Sequence, residues 1–272
     1  MNRRRTAAVI ATAGALALSV LNAPAAQAKD TGIVVTDLVI NDYKPIVVGT
    51  SRVVEPPVSL YVTLPAGYST ADSFRWDVSP FLYRGSLANH GYNYVGLGSL
   101  TCYELSSQKA RCEGHLRIDP DPTRYDVDSN SDATKWKIGL HLRLLKANGN
   151  LQAEESESRP GTLSLRRAAK LSVADATPEP VAKGKKLTLK SKLTRANWTT
   201  KKNDGYGNSK ISLQFRAKDA TSFKTLKTVK TNSAGALSTA VTATTDGFFR
   251  WVYYGNTVTG TATSGQDYID VR

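Results

Sequence analysis

The sequence is poor in cysteine, histidine and methionine, with two, three and one in 272 residues. Two cysteines are too few for a disulfide-dense mini-protein or a four-cysteine zinc site. H-E-x-x-H, G-x-S-x-G and P-loop motifs are all missing, which removes the zincin, nucleophile-elbow and P-loop classes. Gly96-Leu97-Gly98 lacks the third glycine and the following helix of a dinucleotide fingerprint, so it reads as strand or bulge. Amphipathic helix patterns are lacking beyond the first segment. Long apolar runs are lacking too, and the one at residues 6–21 falls short of the roughly 20 residues a spanning helix needs.

That run belongs to residues 1–28, which read as a secretory signal peptide. Arg3, Arg4 and Arg5 form the basic start, residues 6–21 the apolar stretch, and Ala26-Gln27-Ala28 a site for cleavage after Ala28. The expected product is secreted or associated with the cell wall, with no membrane span in the mature form.

What is abundant is positive charge, 36 Lys+Arg against 23 Asp+Glu. It is unevenly placed. Residues 29–165 hold 14 basic and 16 acidic side chains, a net of −2, whereas residues 166–272 hold 19 and 7, a net of +12. The excess therefore belongs to a C-terminal unit that starts near Arg166.

Apolar residues recur with period two throughout. In the C-terminal part the runs are Lys170 to Val173, Leu187-x-Leu189, Ile211-x-Leu213-x-Phe215, Phe223 to Lys230, Leu237 to Val241, Phe249-x-Trp251-x-Tyr253 and Tyr268 to Val271. About seven short strands in about 105 residues is the rhythm of an immunoglobulin-like sandwich. The N-terminal part repeats it with longer connections: Ile33 to Ile40, Val58-x-Leu60-x-Val62, Phe74-x-Trp76, Tyr92 to Leu100, His115-x-Arg117 and Trp136 to Leu145, with turns at Ala147 to Asn150 and Arg159-Pro160-Gly161. The expected fold is all-β, two tandem immunoglobulin-like β-sandwich domains after a signal peptide: 1–28 signal, 29–165 first sandwich, 166–272 basic second sandwich. Cys102 and Cys112 flank a Ser-Ser-Gln-Lys turn and suit a hairpin disulfide in an oxidising compartment.

Three features could carry function. Asp126, Asp128, Asn130 and Asp132, in the acidic stretch 119–132, are spaced by two like the first oxygen ligands of a calcium loop. Ser131 and Lys137 stand where that loop needs its glycine and its glutamate. A solvated turn rich in Pro and Asn is the alternative. Lys183, Lys185, Lys186, Lys190 and Lys192, with Lys224, Lys227 and Lys230, could hold an anionic envelope or extracellular polymer by salt-sensitive attraction. Lysines also guard edge strands. His90, His115 and His141 could serve a hydrolase only if the fold gathered them around a nucleophile. Trp198, Trp251, Tyr206, Tyr253 and Tyr254 could stack on sugars, although alternation assigns the strand aromatics to the core.

The segments 167–173, 178–184, 193–198, 213–216, 227–231, 247–251 and 267–271 resemble a family of exported two-domain actinobacterial proteins with a C-terminal immunoglobulin-like domain. Ile46 to Thr50, the cysteine pair, and Ile118 to Pro120 leading toward Trp136 extend the likeness into the N-terminal part. The resemblance implies bacterial export and brings no catalytic residues and no cofactor. Some members carry a calcium-binding label, which would map onto the loop 119–132. The expected function is a secreted non-enzymatic binding or cell-surface module whose basic domain associates with anionic polymers, without specific nucleic-acid recognition. The alternative is an extracellular calcium-binding protein.

Overall fold

The computed structural model describes residues 30–88, 94–121 and 126–272. The proposed signal segment 1–28 and His90 lie outside the described residues. The first sandwich is built from β1 (Val34–Ile40), β2 (Ile46–Val48), β3 (Pro57–Thr63), β4 (Trp76–Tyr83), β5 (Tyr94–Val95), β6 (Leu97–Ser106), β7 (Lys109–Leu116), β8 (Lys135–Leu145) and β9 (Leu151–Arg167). One sheet runs β1-β3-β7-β6 and the facing sheet β2-β9-β8-β4-β5. Neighbours are antiparallel except β2, which lies parallel to β9. This is the A-B-E-D and A′-G-F-C-C′ order of an immunoglobulin-like sandwich.

The second sandwich comprises β10 (Ala169–Leu171), β11 (Asp175–Thr177), β12 (Lys186–Asn197), β13 (Lys202–Gly205), β14 (Lys210–Ala217), β15 (Lys224–Lys230), β16 (Ala236–Thr242), β17 (Gly247–Tyr253), β18 (Ala262–Thr263) and β19 (Asp267–Ile269). In one sheet β12 pairs with β10, β11, β13 and β16; the other runs β15-β14-β17-β18, with β19 also on β17. A parallel bridge between Val181 and Val271 repeats the A′-to-G contact of the first unit. The chain is all-β, two immunoglobulin-like sandwiches in tandem.

Alternation explains both cores. Val58, Leu60 and Val62 of β3 are buried while Tyr61 between them is exposed; Leu187, Leu189 and Leu193 of β12 are buried while Lys186, Lys190 and Lys192 face water. The strand the sequence hid is β9. Its run Gln152 to Arg159 is mostly polar, and only Ala153 is buried there. β8 imposes the pairing, from Lys135 opposite Ser164 to Leu145 opposite Leu151. The expected turn at Arg159-Pro160-Gly161 is instead a bulge inside β9: Lys137 opposes Thr162 and Ile138 opposes Arg159, so Pro160 and Gly161 stand out of the ladder.

Cys102 and Cys112 sit directly opposite each other on β6 and β7 and are disulfide-bonded. The bridge staples one hairpin within a sheet; it does not cross the core between sheets as in antibody domains. Two residues beyond Cys112, a Cβ on Gly114 would lie 2.0 Å from the Ser99 carbonyl oxygen. The ladder to β6 shifts register nearby, between Leu97 and Ser99. The Cys102→Ser/Cys112→Ser variant should lose about 2–3 kcal/mol, the loop-closure value for a short bridge. Thermal melts of wild type and variant, with and without reductant, check this; coincident midpoints would show that the hairpin needs no staple.

Candidate functional site

One lysine from each of the two regions that the sequence singled out lines a common groove in the second sandwich. β12 puts Lys190 on its outer face opposite Ser238 of β16, and β15 ends at Lys230, opposite Lys210 of β14. Both lysines line a groove of about 460 Å³ at the open side of the sandwich, together with Ser191, Asn232, Ala236, Leu237 and Ser238. Among the described residues no acidic side chain lines it. The Oδ1 of Asn232 accepts the backbone N–H groups of Ala234 and Ala236, both at 3.0 Å, which leaves its amide nitrogen as the donor group. Two ammonium groups, an amide and a serine hydroxyl make a hollow rich in donors, suited to anionic oxygens.

The Lys210–Lys230 pair adds an energetic argument. Like charges directly opposite on neighbouring strands destabilise a sheet by a few tenths of a kcal/mol up to about 1 kcal/mol. An anion at the groove would offset that repulsion.

The remaining lysines are placed differently. Lys183 and Lys185 lie in the turn that leads into β12, where the Lys183 N–H donates to Arg272 O (2.7 Å), and Lys186 begins the strand opposite Thr242. Lys224 and Lys227 oppose Phe215 and Leu213, which are core-facing positions of β14. A lysine at an inward register of an edge strand blocks pairing with another sheet. Lys183, Lys185, Lys186, Lys224, Lys227 and Lys230 are all exposed, and none forms an ion pair among the described residues.

The acidic stretch folds into a seam between the sandwiches. Ser129 and Asp132 form a capping box around a single 3₁₀ turn at Asn130–Asp132. Asp132 Oδ2 accepts the N–H groups of Asp128 (3.1 Å) and Ser129 (2.9 Å), while its other oxygen pairs with Arg84. Burial raises the Asp132 carboxyl above the usual range, opposed by the Ser129 N–H and by Arg84. Asp126 Oδ2 accepts the Asp119 N–H at 2.7 Å. Asn130 reaches the other sandwich: its Nδ2 donates to Asn197 Oδ1 (2.9 Å) and its Oδ1 accepts the Trp198 N–H (3.0 Å). Lys201 Nζ donates to Val127 O (2.9 Å); burial lowers its ammonium, and Asp128 and Asp121 pull it back up. The spacing of Asp126, Asp128, Asn130 and Asp132 thus serves backbone and neighbour contacts. Among the described residues no three Asp, Glu, His or Cys side chains gather closely enough to hold a metal ion.

Trp198 is the centre of this seam. It follows β12 of the second sandwich, yet it is fully buried and, with Ala196, belongs to the hydrophobic core of the first. Its indole N–H donates to Val48 O at 3.2 Å. Beside it the crossing segment is pinned on both sides: Ala168 N–H donates to Val48 O (2.8 Å), Ala196 N–H to Ala168 O (2.8 Å) and Gly260 N–H to Arg167 O (2.9 Å). Arg167 Nε donates to Ala196 O, and burial, helped by Arg195, lowers the Arg167 guanidinium to about 10.

His115 and His141 lie on different sheets of the first sandwich, β7 and β8, at positions that alternate with buried residues. Each bonds a serine directly across its ladder, Ser99 at 3.1 Å and Ser156 at 3.0 Å, and each has a glutamate near the other ring nitrogen, Glu55 at 3.6 Å and Glu154 at 2.9 Å. These are cross-strand pairs on open sheet faces. Trp251 and Tyr253 are buried in the second core.

No family model matches the chain, and no curated protein matches it. Solved structures similar to it include the D0-D1 domains of intimin (12% identity, 86% of this chain and 98% of that one, TM-score 0.25). Others are three N-terminal domains of the highly immunogenic outer capsid protein of bacteriophage RB49 (13%, 88% and 69%, TM-score 0.27) and BcpA, the major pilin subunit of Bacillus cereus (8%, 82% and 59%, TM-score 0.24). At such TM-scores the fold assignment rests on the strand order and register described above.

Proposed function

We propose that the chain is a non-enzymatic extracellular module in which the second sandwich holds an anionic polymer along the groove between β15 and β16. The observation that carries this reading is that Lys190 and Lys230 line one groove with no acidic side chain among the described residues, on a domain of net charge +12. A disulfide is at home outside the cytosol, and among the described residues no helix is long and apolar enough to cross a membrane. The seam suits a passive module, because Trp198 and Asn130 join the two sandwiches by buried contacts. Attraction of this kind is electrostatic and indifferent to sequence, so it weakens steeply with salt.

The test passes the protein without its signal segment over polyphosphate and polygalacturonate resins in parallel, which separates phosphate from carboxylate polymers. Retention at low salt and elution at a few tenths molar salt are expected on at least one. Passage through both at low salt would overturn the reading.

A further inference from the structure

The outer face of the sheet β1-β3-β7-β6 carries an arrangement that the sequence did not single out. Tyr61 of β3 and Tyr103 of β6 both stand opposite Arg111 of β7, so the three form one row across three strands, Tyr-Arg-Tyr. Both tyrosines are exposed, at 40% and 55%. Their strands are two interstrand steps apart, about 10 Å. A solvated sheet face ordinarily alternates to polar residues. Two aromatic rings held at a fixed pitch around a guanidinium depart from that pattern, and each offers an apolar face with a polar hydroxyl at its tip.

One step along the same face, Ser59 opposes Glu113, and Glu113 is ion-paired with Arg111. Ser59 and Glu113 line a hollow of about 260 Å³ together with Asp42, Val39 and Pro57. Asp42 is delivered there by a turn in which Asn41, Asp42 and Tyr43 all have left-handed backbone angles, φ of 51°, 49° and 58°. Such a conformation costs roughly 1–2 kcal/mol per residue outside glycine. Carboxylates and a hydroxyl that accept hydrogen bonds therefore border the aromatic row.

We propose that this face binds an extended β-1,4-linked glycan lying across the strands. In such a chain each sugar is turned over relative to the last, so alternate sugars present the same face, at a repeat that matches two interstrand steps. Tyr61 and Tyr103 stack on the C–H faces of two sugars of one orientation. Arg111 meets the oxygens of the sugar between them, and Ser59, Glu113 and Asp42 take hydroxyl groups along one flank. An α-1,4-linked chain coils and cannot keep that register. The site lies on the first sandwich and needs no net charge, so it stands or falls separately from the lysine groove.

The test uses the whole chain without its signal segment and calorimetric titration with cellohexaose, chitohexaose and maltohexaose. Binding of one or both β-linked hexaoses and none of the α-linked one is expected; the two β-linked arms tell plain from N-acetylated sugars. Tyr61→Ala and Tyr103→Ala should each weaken binding about tenfold or more, with Tyr61→Phe close to wild type and melting temperatures unchanged. Three results would overturn the proposal: no binding of either β-linked hexaose at millimolar concentration, β-linked binding that both alanine variants leave intact, or a dimer in sedimentation that the alanine variants dissociate in place of sugar binding.

Discussion

Trp198→Ala is expected to destabilise the chain by about 3–5 kcal/mol, the range for removing a large aromatic side chain from a packed core. The residue is fully buried in the core of the first sandwich although it is carried by the second, so its loss opens a cavity in one domain and removes a tie to the other. The bond from its indole N–H to Val48 O goes with it, which leaves that carbonyl with the Ala168 N–H as its donor. In a domain pair of this size such a loss lowers the melting temperature by roughly 6–20 °C. The transition should also divide. With Trp198 in place the two sandwiches share buried contacts and melt together; without it the first, now cavity-bearing, should melt below the second. Calorimetry of wild type, Trp198→Ala and Trp198→Phe reads both effects, with the phenylalanine variant close to wild type because it keeps most of the volume. A single transition shifted by less than a degree would show that the seam is not cooperative.

The seam also marks the limit of what alternation reveals. Strands such as Val58 to Val62 and Ile211 to Phe215 were legible because one face is buried along their whole length, and the cysteine pair because its partners are near in sequence. β9 was hidden because a mostly polar strand can be held in a sheet by its ladder to β8. The contacts of the acidic stretch were hidden for a different reason: its partners Asn197, Trp198 and Lys201 lie some 70 residues downstream, and no local pattern shows that Asn130 faces them. Trp198 stood among the aromatics that could stack on sugars, and its burial in the neighbouring sandwich depends on how the two dock. Tyr61 offered a signal that went unused. It sits between Leu60 and Val62, so alternation alone placed an aromatic ring on the solvent face.

For the lysine groove, the variant Lys190→Glu/Lys230→Glu should weaken binding to the retaining polymer about a hundredfold at low salt and reduce the slope of log K against log salt by about 2, one unit per lost cationic contact. The control is Lys224→Glu/Lys227→Glu. It changes the net charge by the same amount, but at the core-facing register of the edge strand β15. Equal losses from the two double variants would mean that overall charge does the binding and the groove adds nothing. Stability should move in the opposite direction to affinity, because glutamate at 230 would face Lys210 and turn a repulsive cross-strand pair into an attractive one, worth roughly 0.2–1 kcal/mol. A variant that melts slightly higher yet no longer holds the polymer would indicate that the Lys210–Lys230 repulsion is kept for binding, since a sheet under selection for stability alone gains by relieving it.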